Sequence, residues 1–233
     1  MAVPPQTNEA FLREVDEELR RDELARLWTR WGRAFVAAIA LGLLALAAFL
    51  WWRDYRAKEA GLEGEKLTTV VEQLSQSQVD RATPAIKELA HSPRPGYRAT
   101  AQLAQGAVAS QRGDDRLAVT AFAAVAADKK VGQPFRELAL IRQTTIEFDK
   151  LPPDQVIARM QPLAKKGSPW FGSAGELLAA AQLKSGRAKD AGATFAALAA
   201  DPATPASLRS RAAQMASVLG ADINPAALSR LAR

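Results

Sequence analysis

Few side chains in this chain are placed to do chemistry. The single histidine among the 233 residues is His91. It sits in the turn-like stretch HSPRPG at 91–96. A lone imidazole can move a proton or offer one metal bond, and either role needs partners that no local motif supplies. Asp114, Asp115 and Asp154 are the carboxylates with a suggestive position. They stand at helix starts, where a carboxylate accepts the free N–H groups of the first turn and complements the helix dipole. The absence of cysteine removes disulfides, thiol nucleophiles and Cys-ligated metals. There is no Gly-rich phosphate loop, nucleophile elbow or HExxH pattern. Distant carboxylates can converge in a fold, but the residues as they stand predict a non-enzymatic chain with no catalytic, metal or cofactor site.

The elements that carry these residues begin with a different kind of segment. Residues 34–52 read AFVAAIALGLLALAAFLWW, without one charge, in a chain that is 24% charged. At about 1.5 Å rise per residue such a run spans roughly 28 Å, close to the hydrocarbon core of a bilayer. Trp28 and Trp31 flank one end, Trp51 and Trp52 the other, where indole rings favour the headgroup level. Residues before the run are too many, and its Trp-Trp end too bulky, for a cleaved signal peptide. A core helix of a soluble domain would not be apolar on every face. The run is therefore expected to be a transmembrane signal anchor in contact with lipid. Five arginines (20, 21, 26, 30 and 33) precede it within twenty residues, and four basic residues (Arg53, Arg56, Lys58, Lys66) follow. The positive-inside rule leans toward a cytoplasmic N-terminus by that small margin.

The charge is uneven. Residues 1–33 carry six basic and seven acidic groups, and the part beyond 52 carries 25 and 18. The basic part has only scattered pairs such as Lys129-Lys130 and Lys165-Lys166 and no aromatic-plus-basic motif, so solvated surface is expected rather than a nucleic-acid interface. Residues 1–8 read as disordered and 9–31 as a charged helix, with Asp16–Arg20, Glu17–Arg21 and Asp22–Arg26 in the favourable acid-then-base order. Its stripe of Phe11, Leu12, Val15 and Leu19 suits a membrane surface, a partner helix or a helix that frays alone. This divides the chain into a tail (1–33), an anchor (34–52) and a C-terminal domain (53–233).

That domain reads as all-α. Helical periodicity runs from Arg53 to Val79, and thereafter helix follows helix between Pro- and Gly-bearing breaks at 91–96, 111–115, 129–134, 150–154, 165–169, 184–187 and 200–205. Four apolar pairs recur: Ile86/Leu89, Phe122/Val125, Met160/Leu163 and Phe195/Leu198. Their steps are 36, 38 and 35 residues. A helix–turn–helix period in the mid-thirties marks tetratricopeptide-type repeats. Ala118 and Ala191 stand four residues before Phe122 and Phe195, the small-then-aromatic pair of a second helix. Gly113 and Gly186 fall at the turn, and Gly106 and Ala179 fill the small position of the first helix. Gln102 and Gly175 stand where an early aromatic is expected. In the Met160 unit, Leu151 replaces the turn glycine and Pro162 interrupts the second helix. The expectation is an α-solenoid of about three to four units, with a closing helix at 206–219 and a short one starting at Asn224-Pro225. The first helices of such a stack face its concave side, which usually binds peptides or partner helices. That register nominates Leu103, Ala107 and Gln111 in one unit and Glu176, Ala180 and Lys184 in another as groove residues; packing between repeats would suit them equally.

The layout as a whole resembles the YfgM-like family, ancillary subunits of the bacterial Sec translocon. The likeness covers a charged tail, an anchor that begins near Trp31-Gly32 and ends in Trp-Trp, and Ala-rich segments such as GYRATAQLAQGAVASQRGDDRLAVTAF and GSAGELLAAAQLKSGRAKDAGATF. The resemblance implies a single-pass protein of the bacterial inner membrane, N-terminus cytoplasmic and repeats periplasmic. It implies association with the SecYEG translocon and with a membrane-anchored periplasmic prolyl isomerase–chaperone, no nucleic acid, and a role in handing exported proteins to periplasmic folding factors. A scaffold for another envelope complex, of division or respiration, is the alternative, with a membrane-bound enzyme further off.

Overall fold

The computed structural model describes residues 7–221, with side chains from residue 28 onward. Among the described residues there are nine helices and no strand. The chain divides into two compact units, Met1–Leu62 and Glu63–Arg233. The acid–base pairs and apolar stripe expected between residues 11 and 26, and the short helix expected from Asn224, lie outside the described side chains and residues. The first helix, α1, covers Thr7–Ser75, so it takes in the last two residues of the segment expected to be disordered.

In the first unit the apolar run of α1 stays unburied: its most apolar window has no residue inside the protein and is long and apolar enough to cross a membrane. Phe35, Leu41, Leu44 and Phe49 are each more than half exposed. A run this apolar is left uncovered at a large cost in water and at none in lipid. At its C-terminal end Arg56 lies 3.9 Å above the Trp52 ring, and Trp51 stacks with Tyr55 at 6.1 Å. Amphipathic rings paired with a cation suit the boundary between apolar and aqueous phases.

The second unit is a stack of helix pairs: the end of α1 with α2 (Val79–Leu89), α3 (Pro95–Gln111) with α4 (Asp115–Ala127), α5 (Gln133–Glu147) with α6 (Pro153–Met160), and α7 (Phe171–Lys184) with α8 (Ala188–Ala200), followed by α9 (Ala206–Val218). All eight residues of the expected apolar pairs are buried. Each of four core clusters joins one helix pair to the first helix of the next: Val70, Ile86 and Leu89 with Val108; Ala109, Phe122 and Val125 with Ala139; Ile141, Val156 and Met160 with Ala174; and Ala179, Phe195 and Leu198 with Ala213. A hydrophobic core that is renewed once per repeat is the nearest-neighbour arrangement of a solenoid.

Three of the turns inside the pairs share one construction. Ser77, Gly113 and Gly186 have φ of 59°, 76° and 80°. The next N–H closes a six-to-one bond: Gln78 N to Gln73 O at 2.7 Å, Asp114 N to Ala109 O at 2.9 Å, Arg187 N to Gln182 O at 2.8 Å. This is the Schellman ending of a helix. The turn at Ser77 corrects the expectation of one uninterrupted helix from Arg53 to Val79. It carries neither glycine nor proline, so it gave no breaker signal, and a serine takes the left-handed conformation that glycine takes in the later units. In the third unit Leu151 holds the same register, but Pro152 follows and has no N–H to close the bond. The turn is made instead by Lys150 N and Leu151 N on Glu147 O, at 2.9 and 3.0 Å, and α6 stops at Met160, just before Pro162.

The two expected departures in the first helices also have a physical basis. Gly175 takes Leu198 where an aromatic was expected: a Cβ there would lie 2.8 Å from the Leu198 side chain. Gln102 instead donates its amide N–H to Ala90 O at 3.3 Å.

The close approach at Gly106 is tighter still. A Cβ on it would stand 2.7 Å from the Phe122 ring, and that ring is only 3% exposed. Alanine is favoured over glycine inside a helix by about 1 kcal/mol, whereas overpacking a core costs about 1–3 kcal/mol. Gly106→Ala is therefore expected to destabilise the repeat domain, by up to about 2 kcal/mol, in urea unfolding of the solubilised full chain. The cost should shrink in a Phe122→Leu background; an equal cost there would mean the ring is not what the methyl meets.

A second expectation concerns acid. The hydrogen bond from Arg98, at 2.7 Å, and the Lys130 N–H, at 2.9 Å, hold the Asp128 carboxyl below its ordinary value of 3.8. A carboxylate with a lowered pKa contributes stability that is complete above the ordinary value and lost as pH falls through the lowered one. Asp128→Asn should remove that part of the loss seen below about pH 4, read as a flatter dependence of the unfolding midpoint on pH.

Candidate functional site

The first helices of consecutive units meet side by side, α3 with α5 and α5 with α7. Two cavities open along these seams. One, of about 470 Å³, is lined by Leu103, Ala107 and Gln111 of α3 and by Leu138, Arg142 and Thr145 of α5. The other, of about 490 Å³, is lined by Leu138, Ile141, Arg142 and Thr145 of α5 and by Glu176 and Ala180 of α7. Both volumes fall in the range of about 300–1,000 Å³ typical of ligand sites. Leu138, Arg142 and Thr145 line both, so α5 forms the divide between them.

Five of the six nominated groove residues therefore line a cavity, though not the same one. The sixth, Lys184, stands at the rim of the second. Its ammonium reaches Asp149 at 3.2 Å and lies 5.3 Å from the Phe148 ring centre. The residues missed are those of α5. The signal was present: moving Leu103, Ala107 and Gln111 forward by the 38-residue step from Phe122 to Met160 lands on Ile141, Thr145 and Asp149, and all three line the second cavity. The missing turn glycine made the third unit look degenerate, yet its first helix keeps the register.

Local chemistry fixes the walls. Thr145 is committed to the backbone, its hydroxyl donating to Ile141 O at 2.9 Å. Trp170 donates its indole N–H to Glu137 Oε2 at 2.7 Å. Glu137 Oε1 also accepts from Gln133 at 2.7 Å. Glu176 accepts from Arg211 of α9 at 2.8 Å. Two of these contacts cross units: Trp170–Glu137 ties the start of α7 to α5, and Glu176–Arg211 ties α7 to α9.

The remaining candidates are accounted for by structure. Asp114 caps α4, its Oδ1 accepting from Leu117 N at 3.0 Å. Asp115 lies 3.6 Å from Lys150, and Asp154 pairs with Arg187. His91 Nδ1 lies 2.8 Å from Lys87 O. Among the described residues no group of three His, Asp or Glu is gathered as a metal site would require.

A family model for the tetratricopeptide repeat-like domain matches residues 26–215. The chain belongs to that family. The match begins before the apolar run, so one family model takes in the membrane-capable helix and the repeats together. No curated protein and no solved structure matches the chain. Membership of this family suggests a scaffold or adaptor role for the tetratricopeptide-like domain.

The Trp170–Glu137 bond can be tested directly, since Trp170 is the one tryptophan beyond residue 52. Glu137→Ala leaves the half-buried indole N–H without its acceptor and should cost about 1–2 kcal/mol in urea unfolding. Glu137→Gln, which keeps an acceptor, should cost less. The Trp170 emission, isolated as the difference from Trp170→Phe, should shift in the alanine variant alone.

Proposed function

We propose that this tetratricopeptide-like protein is a membrane-tethered adaptor of the bacterial inner membrane. In this reading it is an ancillary subunit of the Sec translocon, with its N-terminus cytoplasmic and its repeats periplasmic. It links exported proteins to periplasmic folding factors, among them a membrane-anchored prolyl isomerase–chaperone. The observation that carries the adaptor reading is the groove shared by α3, α5 and α7, lined by leucine, alanine and isoleucine side chains and left uncovered by the described chain. Open grooves on helical repeats take peptides or partner helices. The unburied apolar run supports the tether, and confinement beside other membrane proteins raises the effective concentration of whatever the groove binds. The assignment to the translocon rests on the resemblance to the YfgM-like family, and the orientation on that likeness together with the five-to-four excess of basic residues before the run.

Two measurements on cells test this. Protease added to spheroplasts should digest residues 63–221 while sparing a tag fused to the N-terminus; the reverse pattern would overturn the orientation and the role with it. Photocrosslinkers should then be placed at Leu46 and at Ala107. The first is expected to capture a translocon subunit, the second an exported chain or a periplasmic chaperone. Capture of division or respiratory subunits at both positions would replace the translocon by another envelope complex.

A further inference from the structure

Three charged side chains line the two groove cavities: Arg142, Asp149 and Glu176. Asp149 is engaged by Lys184 at 3.2 Å, and Glu176 by Arg211 at 2.8 Å. Arg142 is exposed and has no ion pair or hydrogen bond with any described residue. It also stands on the divide, lining both cavities. On the α3 side the wall beside it is Leu103 and Ile146. On the α7 side it is Ile141, Phe148 and Leu177. The groove is thus two compartments with apolar walls, edged by Ser110 and Gln111 on one side and Ser173 on the other, and one unpaired cation between them. A guanidinium presents a planar fork of donors that fits a carboxylate on two parallel hydrogen bonds. A basic segment laid in the same place would set like charges together and be rejected.

We propose that the groove selects peptide segments in which an aspartate or glutamate is flanked on both sides by large apolar side chains. The carboxylate binds Arg142, and the flanking side chains enter the α3–α5 and α5–α7 compartments. This rests on the peptide-binding reading of the groove and adds its specificity. Sequence around the acid is read chiefly as apolar bulk, because leucine and isoleucine side chains line both compartments and the Thr145 hydroxyl already donates to the backbone. The selectivity belongs to one side chain, so a single substitution should redirect it.

The test uses the full chain in nanodiscs of zwitterionic lipid, with empty nanodiscs as the blank. The probes are three fluorescein-labelled peptides, alike except for a Leu-Glu-Phe, Leu-Gln-Phe or Leu-Lys-Phe core in a Gly-Ser frame, read by fluorescence anisotropy. The acidic peptide is expected to bind about tenfold more tightly than the Gln peptide, as a charge-assisted pair would give, with the Lys peptide weakest. The preference should shrink as salt is raised. Arg142→Gln should erase the difference between the Glu and Gln peptides, and Arg142→Glu should turn the preference toward the Lys peptide. Ala107→Trp, which fills one compartment from an exposed position, should weaken all three. Equal affinity for the Glu and Gln peptides, with Ala107→Trp still weakening both, would overturn the acid selection and leave the groove. Binding that ignores Ala107→Trp, or no binding above empty nanodiscs, would overturn the groove reading itself. The comparison among peptides on the native chain needs no variant to fold.

Discussion

The repeat domain depends on how closely the two helices of each unit approach. One buried position on the first helix sets that distance: Val70, Gly106, Thr144 and Ala179 follow one another at steps of 36, 38 and 35 residues. In the same register on the second helix stand Ile86, Phe122, Met160 and Phe195. The pairs trade volume. The smallest residue, glycine, belongs to the unit with a phenylalanine, and the two β-branched residues belong to units with an unbranched or aliphatic counterpart. A close-packed interior tolerates such exchange only when the total is kept. Because each helix pair also contributes to the cluster that holds the next first helix, an error in one gap would tilt its neighbour. The alignment of α3, α5 and α7 into a groove is the summed result of these local distances.

Ion pairs are repeated along the stack but are secondary to it. An acid in the first turn of a second helix meets a base at the turn of the following unit three times: Asp80 with Arg112, Asp115 with Lys150, Asp154 with Arg187. All six side chains are largely solvated, and such pairs contribute between nothing and about 1 kcal/mol each. They link neighbouring units and add little stability. Their spacing also gives the helix-start carboxylates structural roles: Asp114 caps α4, and Asp115 and Asp154 each reach a base of the following unit.

Much of this was legible in the sequence because buried columns must repeat. The apolar pairs, the small residues and the turn glycines recur at the same steps, since each faces the same packing demand in every unit. What was not legible follows from departures that packing permits. Ser77 adopts a backbone conformation that its residue type does not advertise. Pro152 removes the N–H on which the other turns close, so the third unit lost its turn signal while keeping its helix. The α5 contribution to the groove was missed for that reason. Arg142 was invisible for a different one: it belongs to no repeated column, as Thr68, Ala104 and Leu177 occupy its register in the other units.

That last fact bears on what the groove is. Where a side chain is packed against a neighbouring repeat, the repeat dictates it, and the column is uniform: Ala82, Ala118, Val156 and Ala191 are all buried. On the open face the neighbouring repeat constrains a side chain less. Water alone would favour polar side chains there, since exposed apolar area costs about 25 cal/mol per Å². Yet half-buried Leu103, Leu138 and Leu177 line the open seams, and the solvated polar residues lie among them rather than replacing them. Core packing accounts for part of the apolar walls, since Leu103 and Leu177 rest on the clusters beneath them, but not for the non-repeating column or the unpaired guanidinium beside them. The proposed acidic peptide, pairing its carboxylate with Arg142, would account for both.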